Sequence, residues 1–385
     1  MSEPAEYMQR PFGGIASQMP LNVEAVTTDH TSWTYVGNCA EDPGDEEPTC
    51  VFANSSFANG RGISVITSPR IAEIIAKSPA FLDASVLSDV NQYDSPPFEV
   101  RELPGRGKGL IANKTIHRGD RIFLSTPILM LGADSFEFND DSVEEEQRYH
   151  AVTKLPSKTE MLFWALYGQM WKDPISDRVN TNSFGADIDD ENFSIVFPEI
   201  SRLNHDCRPN AEYYFNANTL TQSVVATTTI TPGMEITISY IDVSQPRDKR
   251  LSQLRNWGIE CSCKACTQSS TLVEASDARL AQIAELDRNL SSAIAPPEVP
   301  EKLVKLYNEE GLFGFLGAAY RFAALSYCAQ GKRSQAVEYA QMAFDSALSD
   351  NALNLNQAEY MKRLAQQPEK QRCWRFGLGL ALQGK

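Results

Sequence analysis

Through its middle third the chain alternates apolar and polar positions in short runs cut by Gly and Pro, and over its last third the apolar spacing lengthens to that of helices. The spacing predicts strands over 98–103, 109–112 and 121–130, then over 193–197, 211–215, 224–228 and 235–239, because β-formers fill each run and turn residues bound it. Runs this short and this often interrupted build small, strongly bent sheets. Between the two sets, Met161, Leu162, Ala165, Leu166 and Gln169 fall at helical spacing and predict a packing helix over 159–170. Upstream, residues 1 to about 50 are polar and irregular, with 38–50 read as an acidic Gly/Pro loop, and order is expected to begin after it. A short strand over 62–66 follows, and Ser68-Pro69 then opens a helix with Ile71, Ile74 and Ile75 on its apolar stripe.

After Cys266, Leu280, Ile283, Leu286, Leu290 and Ile294 form one amphipathic face that ends at Pro296-Pro297. A helical hairpin is expected over 319–329 and 334–349, turning at Gln330-Gly331-Lys332 and packed through Ala324, Ala336, Ala340 and Ala343. It resembles a single tetratricopeptide unit. One unit cannot bury its own face, so neighbouring helices near 300–315 and 352–380 are expected to complete a small array. The fold class is therefore read as α+β: an extension over 1–97, a β-rich domain over 98–266 with an insert at about 132–192, and an all-α domain over 267–385.

A chain of 385 residues with 42% hydrophobic content can bury a substantial core, and its length fits two or three domains. No apolar run reaches the ~20 residues that span a bilayer, and residues 1–20 lack the succession of a signal peptide, so no membrane association is expected. The formal charge of −15 argues against direct nucleic-acid binding, which needs a basic face to displace counterions. It is compatible with steering a lysine-rich partner to the surface, and equally with a plain solvated exterior. Seven carboxylates without a basic residue between 134 and 146 read as a mobile surface loop.

The candidate chemistry lies in three elements. Arg202-Leu203-Asn204-His205-Asp206-Cys207-Arg208-Pro209-Asn210 puts an amide, an imidazole, a thiol and a proline into one turn. Gly233-Met234-Glu235-Ile236-Thr237-Ile238-Ser239-Tyr240 follows, and Cys261, Cys263 and Cys266 then supply three thiols within six residues. A tetrahedral zinc needs one more ligand, and Cys207 is the candidate. C-x-C-x2-C is too tight for ordinary disulfide geometry, so a structural zinc is favoured over paired or merely buried cysteines. Further upstream, Leu103-Pro104-Gly105-Arg106-Gly107-Lys108-Gly109-Leu110 lets the backbone turn sharply or approach a ligand. It lacks the Walker ending and is no dinucleotide fingerprint; taken alone it is a β-turn.

Together the Gly-rich turn, the Asn-His-x-Cys-x-Pro-Asn box and the Gly-x-Glu-Ile-x-Ile-x-Tyr box resemble the SET domain of protein lysine methyltransferases, and the cysteine cluster at about 255–266 resembles its post-SET zinc site. The split arrangement, with an insert and a helical C-terminal part, is most similar to the SMYD-type branch and to fungal SET-domain proteins. No MYND finger is visible in the insert. The resemblance implies S-adenosylmethionine beside Arg106, Lys108 and Gly109, held also by Asn204 and His205. It puts Asn182 near the methionine carboxylate with Ser201 close by, and makes Tyr240 the catalytic residue. Phe184, Phe197, Tyr240 and Trp257 become the expected walls of a lysine channel. Two positions depart from the family: Met234 replaces a commonly acidic residue, and Trp257 stands where the SMYD branch often has tyrosine. The implied activity is methylation of lysine in a protein or peptide, histone or non-histone, by a monomer. A catalytically inactive adaptor with the same scaffold is the rival reading.

Four cysteines remain. Cys328 and Cys373, in apolar helical surroundings, read as buried thiols, whereas Cys39 and Cys50 flank the acidic loop and could pair. Asn-x-Ser/Thr matches at Asn54, Asn113, Asn192 and Asn289 keep a secretory location open beside the cytoplasmic or nuclear one.

Overall fold

The computed structural model describes residues 32–41, 47–136, 141–291, 294–347 and 355–377, so the expected irregular stretch 1–31 lies outside the described residues. The chain is α+β. Its strands are β1 (Tyr35–Ala40), β2 (Thr49–Asn54), β3 (Ile63–Thr67), β4 (Phe98–Leu103), β5 (Gly107–Ala112), β6 (Arg121–Ser125), β7 (Leu129–Gly132), β8 (Ser183–Ile188), β9 (Glu191–Val196), β10 (Asn204–His205), β11 (Ala211–Asn216), β12 (Thr221–Ala226) and β13 (Glu235–Ile238). They form three small sheets, ordered β1-β2-β3-β7-β9-β8, β10-β13-β5-β4 and β11-β12-β6. Around them lie the helical turns α1 (Phe57–Gly60) and α3 (Pro79–Leu82) and the helices α2 (Pro69–Ala76), α4 (Asp141–Thr153), α5 (Ser157–Trp164), α6 (Pro174–Asn182) and α7 (Arg247–Arg255). The C-terminal helices are α8 (Ser270–Leu290), α9 (Glu298–Glu310), α10 (Leu316–Ala329), α11 (Arg333–Ser346) and α12 (Leu355–Gln366).

The largest sheet is covered on both faces. Phe52 and Val65 enter one core with Ile71, Phe123, Ile195 and Phe197. Their neighbours Val51 and Ile66 enter another with Leu129, Ala151, Val152 and Phe163. That is why β2 and β3 read as continuous apolar runs rather than alternating ones. α2 starts where expected: Ser68 accepts from the Ile71 amide, Pro69 occupies the first turn, and Ile71 and Ile75 are buried.

Several expectations give way. Order begins before Cys50, because β1 pairs antiparallel with β2 and Cys39 is disulfide-bonded to Cys50. The single strand expected over 121–130 is two strands in different sheets, broken at Pro127, which has no amide hydrogen to give to a ladder. The strand expected over 224–228 begins at Thr221, the residue paired with Asn216 across the hairpin. The helix expected to reach 170 ends at Trp164, freeing 165–170 as a loop. The acidic run is no loop throughout: part of it belongs to α4, while 137–140 lie outside the described residues. Glu144 pairs with Arg148 at 2.6 Å, and Ala151 and Val152 are buried, so one apolar end and an i,i+4 ion pair carry the helix despite its charge. Cys328 and Cys373 are not buried thiols but a disulfide. Their separation of 45 residues hid this, and the end of α10 meets the C-terminal turn where Arg375 N donates to Cys328 O at 3.0 Å.

The C-terminal helices share a core of their own, including Leu303, Leu316, Ala324, Ala336, Ala340 and Met361, which Val243 joins from the segment after β13. A charged knot fastens this part to the sheets. Glu310, its side chain 3% exposed, accepts from Arg208 at 2.6 Å and from Arg279 at 2.5 Å, and Ser276 Oγ donates to it at 2.7 Å. Glu310→Ala leaves two guanidiniums facing each other with no anion, and is expected to destabilise the chain by about 3 kcal/mol in urea denaturation; a loss below about 0.5 kcal/mol, as for a surface pair, would mean the knot is ornamental. Alkylation of the denatured chain is expected to label four cysteines without reductant and all eight after it. Eight labelled at the outset would remove both disulfides.

Candidate functional site

The site is built at the second sheet, where distant segments meet. β4 returns as β5 through a turn in which Gly105 and Gly107 take φ values of 72° and 65°, a region that favours glycine. Gly109 serves a different need. A methyl group there would lie 2.5 Å from Leu103 Cδ1, 2.7 Å from Glu235 Oε1 and 2.9 Å from Asn204 Nδ2. Only a bare backbone lets β10 and β13 come so close to β5.

β10 is two residues long and parallel to β13, with Asn204 opposite Thr237 and His205 opposite Ile238. Side chains compensate for its brevity. Asn204 Nδ2 donates to Glu235 Oε1 at 2.8 Å, Asn210 Nδ2 donates to Glu235 O at 2.8 Å, and Thr237 N donates to Asn210 Oδ1 at 2.9 Å. Arg106 closes the corner, its Nη1 2.7 Å from Glu235 Oε2 and its Nη2 donating to His205 O at 2.8 Å.

Tyr240 sits at the end of this arrangement. Its amide donates to His205 Nδ1 at 3.1 Å and its hydroxyl donates to Leu203 O at 2.6 Å. Burial pushes the phenol well above its ordinary pKa, so it stays neutral. Since Nδ1 of His205 accepts, neutral His205 carries its proton on Nε2, 3.4 Å from Cys207 Sγ. Burial lowers the imidazole to about 4 and keeps it neutral.

A cavity of about 990 Å³ opens over these residues, within the size range of small-molecule pockets. Of the residues singled out from sequence, Arg106, Lys108, Asn182, Ser201, Asn204, His205, Tyr240 and Trp257 line it, with Cys261 and Cys263 at its edge. Gly109 lies just behind, between its neighbours. Tyr240 and Trp257 are in ring contact at 5.9 Å. Phe184 and Phe197 are not among the lining residues: Phe197 is fully buried in the core, and Phe184 packs on it and on Tyr213. Asn182 donates to Tyr167 O and Arg178 O, both at 2.8 Å, and so anchors the 165–170 loop, while Ser201 Oγ lies 2.8 Å from Asn182 O. Lys108 extends outward, 3.9 Å from Glu102.

Glu235 ties three segments together, and sequence reasoning saw it only as part of a box. It also passed over Thr181, which lines the cavity with a buried Oγ1 that has no partner, a group positioned for a ligand to satisfy. Tyr167 and Met170 were likewise missed; their loop was taken for helix, and only its lack of a continued apolar stripe could have warned of it.

Cys207, Cys261, Cys263 and Cys266 place their sulfurs within 4.8 Å of one another, with Cys207 and Cys266 at 3.5 Å. A tetrahedral zinc with its usual bonds to sulfur has edges of ~3.8 Å, so the donor set and its spacing fit that ion.

Residues 107–241 match the SET-domain family. The histone-lysine N-methyltransferase set5 of Schizosaccharomyces pombe is 27% identical over 250 residues, covering 62% of this chain and 74% of that one. The N-lysine methyltransferase SMYD2 of Sus scrofa is 31% identical over 150 residues, and SMYD2-B of Danio rerio 38% over 91. These matches cover 36% and 22% of this chain, and only 33% and 20% of those relatives. Among solved structures, the Neurospora SET domain protein DIM-5, a histone lysine methyltransferase, superposes with a TM-score of 0.26 at 15% identity over 38% of this chain and 53% of that one, too loosely to carry weight. The Asn204–His205 pair and Tyr240, joined around one cavity, lie within the segment 107–241 that matches the SET domain, and the relatives it is similar to are named histone-lysine and N-lysine methyltransferases.

Proposed function

We propose that the chain transfers a methyl group from S-adenosylmethionine to lysine side chains of a protein substrate, histone or non-histone. The observation that carries this is the convergence of the glycine turn, Asn204, His205 and Tyr240 on one cavity of cofactor size. S-adenosylmethionine supplies an activated methyl carbon on a sulfonium. Asn204 and His205 hold the cofactor against the turn that carries Arg106, Lys108 and Gly109. Asn182, Ser201 and Thr181 take up its polar end. Tyr240 donates a hydrogen bond from its hydroxyl to Leu203 O, which leaves the oxygen lone pairs to face the methyl group and the incoming amine. In-line transfer needs alignment and exclusion of water rather than a strong acid or base.

The amine must arrive neutral. Free lysine titrates near ~10.4, and a chain of net charge −15 can only favour the ammonium form at long range. Loss of water in an aromatic channel works in the other direction, and Tyr240 and Trp257, which line the cavity, are the proposed walls.

The four thiols are read as a structural zinc site of post-SET type at about 255–266. Residues 98–266 are read as the catalytic domain with its insert at about 132–192, and 267–385 as a TPR-like domain that forms one wall of the substrate cleft in a monomer. The helices of the described residues include none long and apolar enough to cross a membrane, and a cytoplasmic or nuclear location stands beside a secretory one. The Cys39–Cys50 and Cys328–Cys373 pairs favour the secretory alternative, because disulfides persist in oxidising compartments.

Labelled S-adenosylmethionine incubated with a protein lysate is expected to mark discrete bands with the natural chain. Tyr240→Phe is expected to lower the rate about 10²-fold or more, on the scale of losing one transition-state contact, with cofactor affinity unchanged by calorimetry. Cofactor at 100 times its Kd is expected to add about 2.7 kcal/mol to stability. Cofactor binding without transfer to any protein would leave the inactive-adaptor reading in place.

A further inference from the structure

α7 runs along the four cysteines, with Leu254 fully buried among them and Leu251 packed alongside. Arg250, one turn before Leu254, is 1% exposed and heads the largest fully buried side chains. Among the described residues its oxygen partner is a neutral one, Gln245 O, which accepts from Nη1 at 2.6 Å. Its Nε is buried without a partner, and no carboxylate among the described residues forms a salt bridge with it. A guanidinium keeps its proton under all ordinary conditions, and a buried charge without a counter-charge is costly. Some anion must therefore stand beside it. The groups on that face of the helix are sulfurs: Leu254, one turn further along α7, is buried among Cys207, Cys263 and Cys266, and although burial disfavours the charged guanidinium, Cys207 and Cys266 favour it.

Four protonated thiols offer Arg250 no charge. A divalent cation held by four thiolates carries a net charge of about −2, and one guanidinium halves it. Two weaker donors complete the surroundings. His205 Nε2 lies 3.4 Å from Cys207 Sγ, and Arg247 Nε, three residues before Arg250 on the same helix, donates to Cys266 O at 2.9 Å. Cys207 follows His205 by two residues, so whatever steadies that sulfur also steadies the loop at the cavity.

We propose that Arg250 is the buried counter-charge of the four-thiolate metal site, a positioning residue that holds Cys207 and Cys266 as metal-bound thiolates and thereby fixes the Asn204–His205 loop. This rests on the zinc reading of the cysteine cluster. Its guanidinium serves two sulfurs through a planar fork that an ammonium cannot reproduce.

The test measures zinc in the purified full-length chain by elemental mass spectrometry, and its affinity by competition with a chromophoric chelator. Arg250→Met, which keeps the apolar stem, is expected to weaken zinc binding about 10- to 100-fold, the usual effect of losing a group that supports a metal ligand. Arg250→Lys is expected to recover part of that loss. Arg255→Gln, on the exposed side of the same helix, should bind zinc as the natural chain does. If Arg250→Met does not fold, the comparison passes to Arg250→Lys loaded with cobalt(II), whose sulfur-to-metal absorption is expected to shift and whose metal affinity is expected to fall. Natural affinity in every folded Arg250 variant overturns the proposal and leaves the zinc reading intact. A natural chain that binds no zinc overturns both.

Discussion

A parallel strand of two residues cannot hold itself, and the candidate site depends on one. β10 brings Asn204 and His205 beside Thr237 and Ile238 with too few ladder bonds for independent stability. What keeps it there is the set of side-chain bonds through Glu235, Asn210 and Arg106, and four sulfurs from positions 207 and 261–266 converge just beyond it. A metal link across the 59-residue span between Cys207 and Cys266, as proposed for these sulfurs, would remove chain entropy worth about 4 kcal/mol in the simple loop model. That scale exceeds any single hydrogen bond in the neighbourhood. It acts directly on the segment that connects His205 to the segment beyond Tyr240.

The helical part belongs to the same system of constraints. Arg208 follows Cys207, and its guanidinium reaches both Cys207 O at 2.6 Å and Glu310 at the end of α9. The helix then stops at Gly311, whose φ of 70° lets the chain turn away beside Arg208. One carboxylate shared by two arginines and a serine is a buried anion with its hydrogen bonds satisfied, the condition under which such a cluster gives a unique arrangement rather than a weak one. The C-terminal helices therefore bear on the loop that carries the site, through Glu310 and Ser276, both of which meet Arg208.

The three boxes and the helical hairpin were legible because each is written in adjacent residues or in short spacings, and Cys207 was legible as a fourth sulfur beside the trio because three thiols so close call for one more. What sequence left dark depends on register. Nothing local says that Glu235 faces both Asn204 and Arg106, or that Gly109 must be bare because those side chains cross it. α4 was hidden by its charge, since the residues that make it a helix are a buried Ala151-Val152 end and the Glu144–Arg148 pair. The Cys328–Cys373 bond was hidden by distance along the chain. Arg250 was hidden most thoroughly: a lone arginine on a polar helix reads as solvated surface, and only the position of the helix against the thiols reverses that.

These constraints fit the chemistry proposed for the cavity. Methyl transfer from a sulfonium asks little of acid–base catalysis, so there is small advantage in tuning a group to titrate near neutrality. In keeping with this, the two ring residues that meet at β10 are pinned in neutral form: His205 is far too acidic to carry a charge, and Tyr240 too buried to lose its proton. Each spends a hydrogen-bonding position on the backbone, His205 Nδ1 on the Tyr240 amide and the Tyr240 hydroxyl on Leu203 O. Both rings are thereby fixed in orientation, and the phenol oxygen has a fixed set of free lone pairs. A reaction governed by alignment is served by such immobility, which accounts for a site whose polar groups are spent on holding one another still.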